Sequence, residues 1–538
     1  MKRGTKIALI VLAVVLGIGI VLFISADVVV SHIALKQVNK ALASLPEGEA
    51  SCGGIEVRLF SGTAAVKDLR FDYRGEPVSR RDTVRPGASI HVDRIEIGRV
   101  FYSMLMNKEL LVYGLEIDRP QVELWMDEKH PELCFPAFPQ DTTPKEFPLK
   151  RAELLHFHLK NASLALHSVR TKLDVQVDSC SLAVHHLAYD SVFHYCDSVY
   201  ALSLAHAKVM LPDGRMHIET HDIAQEDQGA LTVGNTRIAN TMAKKRLGDI
   251  VREPVTWLDM TIAEVSTAPF NPVRKALAED LTLEEVQAVV ERMDVFRDLR
   301  YKPKHTYPMP QEVLMALPVK FDIRHVDAQI KRINVELAST ETNIGQLTLQ
   351  DIHAGVDHVS NRRGAVLKVN GGCPVDKGQA TAMIALSMNK DCDFAAKMHV
   401  TDANVSFLSP FIRPLVGMTA DCEIDTLDTE YEGNNVKADG TFRMLYHGLN
   451  IQVHKEDDIP YKIITRNANT FTSLGNSLIP KSNPTKVDIR PRAYEVEWKY
   501  DPWHPWALNL FGPCIDGVKK TFLPGLYVHT QINYKHRK

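Results

Sequence analysis

Phe394-Ala-Ala-Lys-Met-His-Val-Thr-Asp-Ala-Asn-Val405 carries the pattern that decides the fold. Phe394, Ala396, Met398 and Val400 alternate with Ala395, Lys397 and His399. Successive side chains of a strand point to opposite faces, so this segment buries one face and wets the other. The same period of two recurs outward from it. Phe442, Met444 and Tyr446 alternate with Thr441 and Arg443, and Val122 and Leu124 alternate with Gln121 and Glu123. Nearer the N-terminus, Ile90 and Val92 alternate with His91 and Asp93, and Ile55, Val57 and Leu59 with Glu56 and Arg58. One-sided burial is the pattern of antiparallel sheets. A parallel α/β sheet would show solid apolar strands spaced by regular helices. The expected body is therefore mostly β, an elongated and twisted antiparallel sheet.

The Asp402-Ala403 step in that stretch has counterparts. Leu159-Lys-Asn161-Ala162-Ser-Leu164 and Val326-Asp327-Ala328-Gln-Ile330 share its layout, and Ile117-Asp118-Arg-Pro120-Gln-Val122 is a variant. Asp and Asn bond their own backbone and tolerate a tight turn or kink. Repetition of one local device predicts a sheet that grows by adding similar rungs. One region departs from this pattern and reads as a helical insert, residues 236–305. Thr282-Leu-Glu-Glu285 fits a capping box ahead of Val286, Val289, Val290 and Met293 at helical spacing, and Thr241 to Val251 is a second amphipathic segment. The plain reading is a helical pair covering a sheet face or edge. The sharper one is a lid over a groove.

The N-terminus holds an unbroken apolar run, Ile7 to Ile24, preceded by Lys2, Arg3 and Lys6. About 20 such residues at roughly 1.5 Å rise span a bilayer core of about 30 Å. The positive flank holds residues 1–6 in the cytoplasm and sends the rest across. The run exceeds a signal-peptide core, and no clean cleavage site follows it. A retained transmembrane helix over 7–25 is expected, anchored by Ile7, Leu9, Leu12, Leu16, Leu22 and Phe23. The body would then stand in the periplasm, tethered to the inner membrane.

The 538 residues are 45% hydrophobic and 24% charged with a formal net charge of −3, which gives no argument for nucleic acid. The eight cysteines include no CxxC pair. Disulfides are permitted in an exported chain, but their pairing is not readable from sequence. Cys422 shares its phase with Ala420 and Ile424 and reads as a small buried hydrophobe. No nucleophile elbow, zinc-protease helix or phosphate loop is present, so the chain reads as a non-enzyme without cofactor or metal. His217 and His221 flank Glu219 on one strand face, a possible metal rim, although solvent-facing histidines are commoner. Near the C-terminus Trp503 and Trp506 lead into Leu508, Leu510, Phe511, Ile515 and Val518, closed by Lys519 and Lys520. An interfacial helix and ordinary core packing both fit.

Several stretches resemble the AsmA-like family of bacterial envelope proteins. They are Val38-Asn-Lys-Ala-Leu42 after the apolar run, Ile55 to Phe71 with Gly62 and Asp68, Ile95-Glu-Ile97, and Leu111 to Val122 ending in an I-x-x-P-x-V step. Further on, Leu408-Ser-Pro410-Phe411-Ile412-Arg-Pro414-Leu-Val416-Gly417 and the hairpin Asp425 to Tyr446 are similar to the family's C-terminal sheet. Asn483-Pro484 through Thr521 looks like the tail of short members from Bacteroides-like bacteria. The resemblance implies an N-terminal AsmA-like region over 26–150, a central β region over 151–235, a C-terminal AsmA-like region over 306–455 and a closing segment over 456–538. It also implies a membrane-tethered β-groove, taco-like, acting in outer-membrane lipid homeostasis or assembly.

Phase alone nominates the groove lining: Val57, Leu69, Phe71, Val122, Leu124, Phe321, Ile323, Phe394, Met398, Phe442 and Met444. The expected activity is binding of acyl chains, with phospholipid or another acyl lipid as partner, and movement of lipid between inner and outer membranes. A factor that offers sheet edges to outer-membrane proteins is the alternative reading.

Overall fold

Residues in the left-handed backbone region, set inside long strands, shape this molecule. A computed structural model describes residues 27–40, 49–59, 61–77, 84–101, 108–127, 129–135, 150–189, 193–195, 200–226, 229–270, 281–317, 319–455, 467–486 and 489–522. The apolar run over 7–25, with all its anchor residues, lies outside them. No helix among the described residues is long and apolar enough to cross a membrane. The chain divides into two units, Met1–Val233 and Gly234–Lys538.

The first unit contains helix α1 (residues 27–40) and strands β1 (Glu49–Arg58), β2 (Thr63–Arg74), β3 (Gly87–Ile97), β4 (Glu109–Met126), β5 (Arg151–Ser168), β6 (Asp174–Tyr189), β7 (Phe193–Tyr195), β8 (Tyr200–Met210) and β9 (Met216–Glu226). Each pairs with the next, β7 forming a short side pairing on β6 while β8 continues the sheet. α1 lies along the edge of β1. Val57 N–H donates to Ser31 Oγ at 2.7 Å, Leu59 N–H donates to Asp27 Oδ1 at 3.0 Å, and Asn39 Oδ1 accepts from Cys52 N–H at 2.9 Å. Side chains of a helix thus satisfy edge groups that would otherwise invite another strand.

Asp68, Arg119, Asn161, Ser179 and Asp222 have φ of 49, 47, 50, 53 and 55°. They fall on one line across the sheet. Pairs Lys67–Arg94 and Leu69–Val92 bracket Asp68, while Arg94–Asp118 and Val92–Pro120 bracket the lapse at Arg119. Asp118–Lys160 and Gln121–Ser163 then bracket Arg119 and Asn161 together. Each kink inserts one residue into the alternation and bends the strand, as a bulge does. The apolar series therefore advances by three at each kink and by two elsewhere. β5 reads Ala152, Leu154, then Phe157, Leu159, then Ala162, Leu164, Leu166. Of the Asp/Asn steps seen in the sequence, Asn161 and Asp402 (φ 49°) are such kinks, and the variant places Arg119 there, whereas Asp327 is not left-handed.

The second unit begins in β10 (Thr232–Asn240) and α2 (Lys244–Val251). It continues through β11 (Thr256–Thr267), β12 (Leu281–Asp298), α3 (Pro310–Met315), β13 (Phe321–Ala338), β14 (Ile344–Ser360), β15 (Val366–Val375), β16 (Gly378–Ser387) and β17 (Phe394–Asn404). Helix α4 (Ser409–Val416), β18 (Met418–Gly433), β19 (Lys437–Val453), α5 (Ala468–Leu478), β20 (Ala493–Lys499) and α6 (Trp506–Phe522) complete it. Pairing runs in chain order from β11 to β20.

Two expectations need correction. The sheet is not purely antiparallel, because β4 pairs β5 and β12 pairs β13 in parallel. Among the described residues the helical insert survives only as α2, since Thr282 to Met293 belongs to strand β12. The reason lies in the kinks. The inward series of β12 is Leu283, Val286, Ala288, Val290, Met293, Val295, and its three-residue steps imitate helical spacing. The pairing with β13 lapses at Glu284 opposite Arg324 and at Glu291 opposite Lys331. A run of β-branched valines favours the strand.

The blocks β4–β5–β6 and β12–β13–β14 are built alike. Each is a parallel pair of 18-residue strands followed by an antiparallel third. Each carries two kink lines, with His186 (φ 58°) and Ser179 on β6 matched by His358 (φ 56°) and Asp351 (φ 50°) on β14. Each first strand ends at a carboxylate with almost no exposure, Asp127 at 0% and Asp298 at 1%. Arg170 holds the former at 2.7 Å and Arg300 the latter at 2.7 Å.

Candidate functional site

The register gathers the apolar series into rows. In the first unit Phe71, Ile90, Val122, Leu164 and Val177 follow one another across neighbouring strands. A second row runs Val66, Ile95, Ile117, Leu159, Leu182, Leu202. These side chains are half-buried, the state of a face screened only by its own neighbours. Val57, Leu69, Phe71, Val122 and Leu124 lie on this face, as their phase predicts.

At one end the face deepens into a cleft of about 330 Å³. Ile97, Leu110, Val112, Leu115, Ala152, Leu154, Leu187 and Ala188 line it. Ligand pockets span about 300–1,000 Å³, and the cleft lies at the lower end of that range. Glu153 is its one charged residue, paired with Arg151 and 3.7 Å from His186 Nε2. None of these residues was nominated as groove lining from the sequence. Their signal is the apolar series read with three-residue steps, which a strict period of two misses after Val112 and Leu154.

The second unit repeats the face over β12, β13 and β14. Val286, Val326 and Val356 pair in a row and remain half-buried, as do the predicted Phe321 and Ile323. Beyond β15 the same face becomes core. Phe394 is 5% exposed, Phe442 0% and Met444 2%, and Met398 packs at the margin of the cluster that holds Phe394. α6 is their cover. A Cβ on Gly517 would fall 2.1 Å from Phe442 Cγ, and one on Gly512 would fall 2.2 Å from Trp498 Cδ2. Only glycine permits that approach. Phe394, Phe442 and Met444 are therefore core side chains and not groove lining, contrary to expectation.

α6 has an inward face, as core packing predicts. Leu510, Val518 and Phe522 pack inward. Lys520 is bound within the fold, 2.7 Å from Asp516 and donating to the Glu495 carbonyl at 2.9 Å. Trp503, Trp506 and Lys519 face outward.

The opposite face is polar. His91 Nε2 lies 2.9 Å from Asp68 Oδ1, and Arg119 Nε donates to Asp93 Oδ2 at 2.6 Å, so charge lines the kinks. The hydrogen bonds from Arg70 and then His91 hold Asp68 below the usual carboxylate range. The histidine group also resolves. His206, not His217, joins Glu219 and His221. The cysteines among the described residues are free, and burial pushes the Cys422 thiol up to about 12, consistent with an inert small hydrophobe. Asn161 sits at a kink, and Asn404 accepts from Ser406 N–H at 2.8 Å.

No protein-family model matches this chain, and no curated protein matches it.

Proposed function

We propose that this protein binds acyl lipids on the apolar face of its sheet, as an AsmA-like envelope protein would. The observation that carries the reading is the cleft over β3–β6, lined by aliphatic side chains with Glu153 as its one charged group. An acyl chain fits that chemistry, because it offers many methylenes and no hydrogen-bonding group to leave unpaired. Each buried methylene contributes about 0.8 kcal/mol. About ten of them give roughly 8 kcal/mol before ordering costs, so micromolar binding is the upper bound for that many. The polar headgroup stays at the mouth, near Glu153, Arg151 and His186. The apolar N-terminal run tethers the body to the inner membrane, the body stands in the periplasm, and the half-buried face hands phospholipid toward the outer membrane without nucleotide chemistry.

The test is mass spectrometry of lipids that copurify with the protein after exhaustive detergent exchange. The expected result is phospholipid in stoichiometric amount, lost when Leu154→Glu places a charge in the cleft. A folded wild-type protein free of lipid, crosslinking instead to outer-membrane proteins, would remove this reading in favour of an assembly factor.

A further inference from the structure

We propose that His206, Glu219 and His221 form a zinc site on the polar face of the first unit. The β8–β9 register sets His206 directly opposite His221. Glu219 lies two residues from His221 on β9, which puts it on the same face. The ligand atoms of the three side chains all lie within 4.8 Å of one another. His206 Nε2 is 3.2 Å from Glu219 Oε1, and the two imidazole rings stand 4.8 Å apart at 39°. A tetrahedral zinc at about 2.0–2.2 Å from each ligand needs donor separations of roughly 3.4 Å. Small rotations of exposed and half-buried side chains supply the difference. Two imidazoles and one carboxylate are a donor set suited to zinc, with the remaining position open to water.

The second observation is the partner behind the first ligand. Asp178 on β6 pairs in register with His206, and its Oδ2 lies 3.1 Å from His206 Nδ1. With an ion bound, that contact would keep the proton on Nδ1 and leave Nε2 as the ligand atom, the carboxylate–histidine–metal arrangement that orients metal sites. Lys208, across from Glu219, is the cation that opposes an ion here, and its long stem lets the ammonium swing away. Asp222, beside His221, is a kink where backbone pairing lapses between Leu204–Ile223 and His206–His221. An ion at this place would staple two strands where their own hydrogen bonds are interrupted.

The experiment is calorimetric titration of the full, untagged chain with zinc chloride. The expected result is one binding event that His206→Ala, Glu219→Gln and His221→Ala each abolish. Asp178→Asn should weaken the same event about tenfold or more, although it touches no metal. Circular dichroism establishes that each variant is folded. Absence of zinc binding by the wild type overturns the proposal. So does a folded His206→Ala protein that binds zinc as the wild type does, which would place the ion on other histidines.

Discussion

One row of side chains in the second unit begins open and ends buried. Val286, Val326, Val356, Val369, Ile384, Ala396 and Tyr431 pair in succession. At its start Val286 and Val326 are half-buried, and at its end Ala396 is 3% and Tyr431 1% exposed. The alternation that builds the row is the same throughout. What changes is the cover, because Met309 ahead of α3 and Leu510 of α6 close over the later strands. The phase of a strand thus reports which face is apolar, and elements far away in the chain decide whether that face becomes core or surface.

The sharpest way to break the comparison is to remove one side chain from each end. Phe442→Ala, in the covered region, should cost about 3–5 kcal/mol in denaturant unfolding, because the helix above cannot collapse into the space. Val326→Ala, on the open stretch, should cost about 1 kcal/mol or less. Equal losses would mean that the open stretch is as tightly packed as the covered one.

How much of this was legible in the sequence follows from the same rows. The strands around Val57, Leu69, Val122 and Phe394 were readable because each alternates cleanly between kinks. Segments that cross a kink were misread. Val286, Val289, Val290 and Met293 looked helical because the three-residue steps of β12 resemble a helix turn. Leu110, Val112 and Leu154 were missed because the series slips by one at the next residues. The cover over Phe442 was not readable at all. It depends on Gly512 and Gly517 meeting Trp498 and Phe442, a long-range contact that no local pattern announces.

The two buried carboxylates sharpen the likeness between the blocks β4–β6 and β12–β14. Burial opposes the charge on Asp127, but the Arg170 hydrogen bond and the Lys129 amide outweigh it and hold the carboxyl below its usual range. A depressed folded value means that the stabilisation is present above the unfolded value near 3.9 and is lost as pH falls through the folded one. Asp127→Asn should cost about 2–3 kcal/mol at neutral pH, less than a fully buried pair because Arg170 remains 35% exposed. Its unfolding curve should converge with that of the wild type in acid. Asp298→Asn should cost less, since Arg300 keeps Asp249 at 2.9 Å and Glu341 at 3.2 Å. A larger loss at Asp298 would contradict the view that these extra carboxylates share the load.

Gly517→Ala tests the cover itself. The added methyl meets the fully buried Phe442 ring, so α6 must lift or the ring must shift. Overpacking of this kind costs about 1–3 kcal/mol. The change should also raise protease sensitivity near α6 while leaving the first unit intact. Unchanged proteolysis would show that the helix tolerates a wider gap than its two glycines imply.

The smallest expected effect on stability is at the cleft, and it separates surface from core most directly. Leu154→Ala removes a side chain that is only half-buried, so the folded state should lose about 1 kcal/mol or less. Lipid retention should fall only slightly, because many methylenes share the contact. Leu154→Glu should leave the fold comparably stable, since the charge still reaches water at the cleft mouth, yet an acyl chain laid against it would strip that water from a carboxylate. Stability and lipid binding should therefore separate at Leu154, where binding is lost and the fold kept, in contrast to Phe442, where stability is what falls. If Leu154→Glu unfolds the protein as Phe442→Ala does, the cleft is a closed core and the acyl-binding reading loses its ground.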